Sequence, residues 1–238
     1  MKLLLDFGNT CVKAAVSDGD LIRDVYCGPA VLERLQDSLS GIRIDGGMWC
    51  SVRPVPASVA EWMQETGLVR LTHETPIPIK NSYRTPETLG MDRLAAAVGA
   101  WAMHPDGDKL VIDAGTAVTF DFVSSDGEFL GGNIAPGIGL RFKALHEHTG
   151  ALPLVGSDGD CPQFGYDTQT AIRSGVVNGI ANEIAGYISH LEAQSPSLLV
   201  FLTGGDSEHF VLKGKTPIFA VHNLVFRGMA CILSYNEE

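Results

Sequence analysis

Residues 3–17, LLLDFGNTCVKAAVS, and residues 110–124, LVIDAGTAVTFDFVS, follow one plan: an apolar strand, Asp-x-Gly with Asn or Thr after it, then a second strand. Asp6 corresponds to Asp113, and Gly8 to Gly115, at a common offset of 107 residues. Each second strand runs into an Asp-Gly pair, Asp18-Gly19 and Asp126-Gly127. Asp-Gly after an apolar strand is a strong hairpin signal, because glycine accepts the positive φ that tight turns demand. Each half therefore reads strand, turn, strand, turn, strand. One Asp-x-Gly is ordinary turn chemistry, but two copies in the same flanking pattern mark a duplicated unit of half-molecule size. Lobes are expected over 1–107 and 108–238. A short turn with glycine and a hydroxyl or amide leaves backbone N–H groups free to point at an anion. An Asp at the strand end can hold the metal ion that accompanies it.

Outward from the first copy, residues 29–39 carry Val31, Leu32, Leu35 and Leu39 at helical spacing. Strands are expected at 47–52, 68–72, 110–113 and 198–203, and helices at 56–66, from about Gly90, through 140–145, at 166–191 and at 224–235. The stretch 75–88, TPIPIKNSYRTPET, has no apolar periodicity and reads as a surface loop, where binding residues concentrate. Alternating strands and helices indicate α/β architecture.

Composition narrows the partners. The net charge of −11 argues against a nucleic acid, whose binding rests on clustered Lys and Arg. A small ligand is favoured. The five cysteines are scattered, with no CxxC pair, which favours reduced thiols in the cytoplasm. No stretch reaches the length of a membrane span, and the Leu3–Leu5 run is too short for a signal peptide.

Two tempting motifs fail on spacing. Gly214-Lys215-Thr216 resembles the end of a Walker loop, but the glycine required five residues earlier is His209. His146-Glu147-His148 is a weak metal motif, because i, i+2 residues do not share a helix face. No G-x-G-x-x-G follows the first strand, so a dinucleotide fold is not expected. Three glycine turns after strands remain, at Gly8, Gly115 and Gly204-Gly205. Two suit phosphates and the third a nucleoside.

That order of turns resembles the acetate kinase, sugar kinase and actin superfamily, whose fold is two ribonuclease-H-like lobes with ATP in the cleft between them. Within it, the ordered set DFGNTCVK (6–13), SYRTPETLGMDRL (82–94), DAGTAVTFD (113–121), GGNIAPG (131–137), ALPLV (151–155), DTQTAIRSG (167–175) and TGGD (203–206) resembles the type III pantothenate kinases nearly end to end. The resemblance implies transfer of the γ-phosphoryl group of ATP to the terminal hydroxyl of pantothenate, giving 4′-phosphopantothenate, the first step of coenzyme A synthesis.

By the same resemblance Asp92 is the general base. Tyr83, Gly90, Met91, Asp92 and Arg93 bind pantothenate, joined by Thr168 from a neighbouring subunit of a homodimer. Asp6, Phe7, Gly8, Asn9, Thr10, Cys11, Val12 and Lys13 form the first ATP motif, and Thr116 the second. Asp113 holds a monovalent cation, potassium or ammonium, and Mg2+ accompanies ATP. Asp167 stands where the family typically has Asn. The alternatives are a sugar or carboxylate kinase of the same superfamily, which would lack the Tyr83–Arg93 segment, and a nucleotide-binding regulator without turnover.

Overall fold

In the computed structural model, which describes residues 1–19, 21–210 and 215–237, the first duplicated stretch forms an antiparallel meander. Its strands are β1 (Lys2–Phe7), β2 (Val12–Asp18) and β3 (Leu21–Gly28). Gly19, at φ +59°, turns the chain after β2 as the Asp-Gly pair predicts. Next come α1 (Leu32–Ser38), β4 (Gly47–Ser51), α2 (Ala57–Glu65), β5 (Leu68–Arg70), β6 (Lys80–Asn81) and α3 (Met91–Met103). The first sheet has the order β3-β2-β1-β4-β5, with β4 parallel to β1 and β5 parallel to β4.

The central position of β1 explains its unbroken Leu3-Leu4-Leu5 run, since a strand covered on both faces needs apolar side chains on both. Leu3, Leu5 and Phe7 pack with Leu35, Val59 and Met63 of α1 and α2. Leu4 packs on the opposite face with Met48, Leu94 and Val98. Side chains alternate along a strand, so Asp6 lies on the Leu4 face, toward α3.

The second copy forms β7 (Lys109–Ala114), β8 (Ala117–Val123) and β9 (Glu128–Pro136), with Gly127 at φ +72° in the hairpin turn. Then follow α4 (Ile138–Glu147), α5 (Thr168–Glu192), β10 (Leu199–Thr203), β11 (Ile218–Ala220) and α6 (Leu224–Glu237). The second sheet has the order β11-β10-β7-β8-β9-β6, with β7, β10 and β11 parallel.

The chain divides into two compact units. The first comprises Met1–Asp106, Phe122–Gly131 and Asn223–Glu238, and the second Gly107–Asp121 and Gly132–His222. One boundary lies beside the expected 107/108 division, but the β8–β9 hairpin tip and α6 group with the first unit. The packing supplies the reason. α6 lies against α3 where Gly99 and Gly228 meet, and a Cβ on Gly228 would overlap the Ala95 carbonyl. The small residues of AAAVGA therefore select this partner. At the hairpin tip, the N–H of Lys80 donates to the Gly127 carbonyl (2.8 Å) and the N–H of Ser82 to that of Phe129 (3.0 Å).

Strands β6 and β11 were not anticipated. Both are short, and neither carries an alternating apolar signal; each forms by adding to the exposed edge of an existing sheet. The long 75–88 segment is otherwise irregular, with one 3-10 turn at Pro86–Thr88.

Candidate active site

In the first unit Asp6 stands opposite Lys13 on β2 and beside Cys50 on β4. Cross-strand neighbours share a face, so Lys13 is turned toward Asp6 rather than simply to solvent. The Cys50 thiol donates to Asp6 Oδ1 at 3.5 Å, and burial keeps that thiol protonated by raising its pKa well above the usual range. Burial raises the Asp6 pKa to about 6; the charge of Asp92 adds to the rise, while Lys13 and the Cys50 thiol oppose it. Asp92, in the first turn of α3, is also raised by burial, against the opposing pull of the Arg93 backbone N–H (2.9 Å to Oδ1) and the Arg93 charge. Two carboxylates thus lie within electrostatic reach of each other, one at a strand end and one at a helix N-terminus.

The turn after β1 leaves Asn9 and Thr10 exposed. A Cβ on Gly8 would sit 3.3 Å from the Cys11 carbonyl, so the turn folds back on itself. Phe7 and Val12 depart from the expected ATP set in one respect: both side chains are fully buried in the core beneath α1 and α2, leaving only their backbone at the turn.

Gly90 is the N-cap of α3, and a Cβ there would crowd Asp92 Oδ1. Met91 packs partly buried against the core. Arg93 is 7% exposed and holds its guanidinium 5.8 Å from the centroid of Tyr83. Tyr83 in turn rests on Phe129 at 6.2 Å between ring centroids. Ser82 and Lys80 both donate to Glu128, Lys80 at 2.7 Å, which fixes the loop to β9. Tyr83, Gly90, Met91, Asp92 and Arg93 therefore form one contiguous patch of the first unit.

In the second unit three glycine turns converge on the end of β7. The N–H of Gly115 donates to the Ala117 carbonyl (3.0 Å), and that of Gly137 to the Thr116 carbonyl (3.0 Å). Gly204, at φ +96°, comes so close that a Cβ would overlap the Ala114 carbonyl and crowd Asp113 Oδ1. The N–H of Asp206 donates to the same Ala114 carbonyl at 2.8 Å. The bare Cα of Gly204 thus lies against both the Ala114 carbonyl and the Asp113 carboxylate, and Thr116 is exposed in the turn that follows β7. The motifs GGNIAPG and TGGD signal this convergence, since Gly137 and Gly204 are the residues that permit it.

Thr168 is exposed at the start of α5. Asp167 caps that helix: Thr170 N–H donates to Asp167 Oδ1 (2.8 Å), and Asp167 N–H donates to Thr170 Oγ1 (3.1 Å). The Thr170 N–H and the Thr170 hydroxyl, which also donates to Oδ1 (2.8 Å), lower the Asp167 pKa, and a carboxylate at this position also suits the helix dipole.

Arg53 was missed by sequence reasoning. It lies two residues beyond β4, where Val52 N–H donates to the Phe7 carbonyl (3.2 Å). Its Nε and Nη2 are shielded from water without an acceptor among the described residues. A single Arg between Val52 and Pro54 gives little warning of this. His146 of the His-Glu-His motif has its Nδ1 at 2.9 Å from the Leu152 carbonyl. Among the described residues no group of three or more His, Cys, Asp and Glu is arranged to hold a metal ion. Gly214 of the Walker-like motif lies outside the described residues.

A family model described as type III pantothenate kinase matches residues 2–190. A type III pantothenate kinase of Phocaeicola vulgatus is 45% identical over 241 residues, covering 100% of both chains. One of Bacteroides fragilis is 44% identical over 240 residues, covering 100% of this chain and 99% of that one. Among solved structures, a Baf family protein of Campylobacter jejuni is similar at a TM-score of 0.61 and 24% identity, covering 99% and 98% of the two chains. A ROK hexokinase of Thermus thermophilus is similar at a TM-score of 0.51 and 12% identity, covering 100% and 99%. These two likenesses show the fold alone.

Proposed function

We propose, for a chain that belongs to the type III pantothenate kinase family, a division of labour among its own residues in the ATP-dependent phosphorylation of pantothenate, the first step of coenzyme A biosynthesis. The observation that carries it is the half-buried Asp92 carboxylate at the start of α3, within the Tyr83–Arg93 patch and near enough to Asp6 to raise that group's proton affinity.

Phosphoryl transfer to an alcohol passes through a loose transition state, so positioning and charge compensation matter most. The pantothenate hydroxyl oxygen forms a bond to the γ-phosphorus as the bond to the β–γ bridging oxygen breaks, and Asp92 accepts the hydroxyl proton. Burial raises the proton affinity of Asp92, which suits a base acting late. Gly90 leaves room for its carboxylate, and Arg93, braced on Tyr83, anchors the substrate's polar end.

The Gly8–Cys11 turn and Thr116 bind ATP phosphates with backbone and hydroxyl donors, and Lys13 opposes the charge of Asp6. Arg53, lacking an acceptor within the described residues, is suited to an anionic ligand. An enclosed carboxylate at the strand end fits a divalent cation, so Asp6 is the residue to hold Mg2+, which would neutralise phosphate charge when bound and leave Asp92 to act as the base. Asp113, whose carboxylate lies with the Ala114 carbonyl against Gly204, fits a hard monovalent cation. Ile134 (65% exposed), Leu154 (59%), Phe164 (83%) and Tyr166 (71%) support self-association through the second unit, with Thr168 nearby in sequence. A cytoplasmic location accords with the five unpaired thiols.

A coupled ADP-release assay tests the reading. Turnover is expected only with pantothenate present and is expected to rise with potassium; Asp113→Asn is expected to abolish the potassium response. ADP release independent of pantothenate would overturn the substrate assignment.

A further inference from the structure

Cys11 and Cys27 hold their Sγ atoms 3.3 Å apart. Cys11 ends the turn after β1, and Cys27 lies on β3, where it pairs with Lys13 of β2. Both are free thiols, Cys27 exposed and Cys11 partly buried. A disulfide needs about 2.05 Å between sulfurs, so closing the bond draws the two cysteines together by about 1 Å. Burial and the neighbouring Cys27 push the Cys11 thiol up to about 11, with Lys13 opposing and Asp6 reinforcing the rise. The exposed Cys27 is therefore the sulfur that meets an oxidant first.

We propose that this pair is an oxidation site for peroxides, and that its disulfide weakens ATP binding. The Cys27 sulfur attacks one peroxide oxygen and the O–O bond breaks, giving a sulfenic acid on Cys27 and one water. The Cys11 sulfur then displaces the hydroxyl from Cys27, forming the S–S bond, and its proton leaves with that hydroxyl as a second water. Two thiols and one hydrogen peroxide become one disulfide and two waters.

The effect on ATP follows from the turn. The Cys11 carbonyl packs against Gly8, so drawing Cys11 toward β3 displaces the backbone that would hold phosphate. This step rests on the proposed role of the Gly8–Cys11 turn.

The full chain is treated with hydrogen peroxide and followed in two ways, by mass and by ATP titration calorimetry. Expected are a loss of about 2 Da, a Cys11–Cys27 peptide in a non-reducing digest, and a fall in free thiols from five to three. ATP binding is expected to weaken at least about fivefold, the lower end of ordinary coupling between sites, and to recover with dithiothreitol. Cys27→Ser is expected to bind ATP as the parent does and to be insensitive to peroxide. Oxygen addition to Cys27 without a cross-link overturns the site; a cross-link with unchanged ATP affinity overturns its effect. If the reduced protein binds no ATP, the reading of the turn fails, and the mass measurement still decides the oxidation site.

Discussion

At pH 7 the folded chain keeps Asp6 ionised against its own burial. Its pKa rises from 3.8 to about 6 on folding, so between these values the folded state binds more protons and stability falls as pH rises. Above about pH 6 the full cost is present. Asp6→Asn is expected to stabilise the ligand-free chain by about 2 kcal/mol at pH 7, discounting for the part of the group that water reaches. The gain should vanish near pH 4, and urea denaturation at both pH values checks it. The same substitution should weaken Mg-ATP binding, and parent affinity should fall as pH drops below about 6, which calorimetry would read. Asp92→Asn is expected to lower kcat by about 10²- to 10⁴-fold, the usual worth of a general base, without loss of stability. A variant retaining parental kcat would remove Asp92 from that role. Asp6 and Asp92 were both legible as carboxylates in suggestive motifs. The effect of Asp92 on Asp6 was not, because the two lie 86 positions apart in the chain and only the pairing of β1 with β4 beneath α3 sets them on one face.

Among the elements, the crossing of α3 and α6 shows how a weak sequence signal becomes a strong packing constraint. AAAVGA predicts a helix with a smooth face, but not which helix uses it. Gly228 on α6 supplies the answer, since its missing Cβ leaves space for the Ala95 carbonyl. Gly228→Ala is expected to cost about 1–3 kcal/mol by overpacking, measured as a lowered denaturation midpoint with an unchanged m-value. An unchanged midpoint would mean that the helices separate freely. Most other elements were readable to within a few residues, including the α5 start, where Asp167 and Thr170 cap the helix. Strands β6 and β11 were not readable, because edge additions of two and three residues draw their order from the neighbouring strand.

For the whole molecule, the exposed apolar side chains of the second unit lead to a prediction about assembly. The chain is expected to sediment as a dimer, and Ile134→Asp combined with Phe164→Asp is expected to give monomers with a raised KM for pantothenate. A parent chain that sediments as a monomer at every concentration would remove the shared-site reading of Thr168. At this scale the duplication is real in the chain but uneven in its use. Both Asp-x-Gly turns close a central strand, yet Asp6 faces a helix and a second carboxylate, whereas Asp113 faces the glycine turn at Gly204.

The sequence by itself determined the repeat, the two Asp-Gly hairpins, the α/β order and the family, because these rest on local turn chemistry, on side-chain periodicity and on motifs that survive in order along the chain. Only the tertiary structure decided that α6 and the β8–β9 tip belong with the first unit, that Phe7 and Val12 are core, that Asp6 is forced up in pKa, and that Cys11 meets Cys27. Each of these depends on contacts between segments far apart in the chain, where burial and close approach, rather than residue type, set the energy.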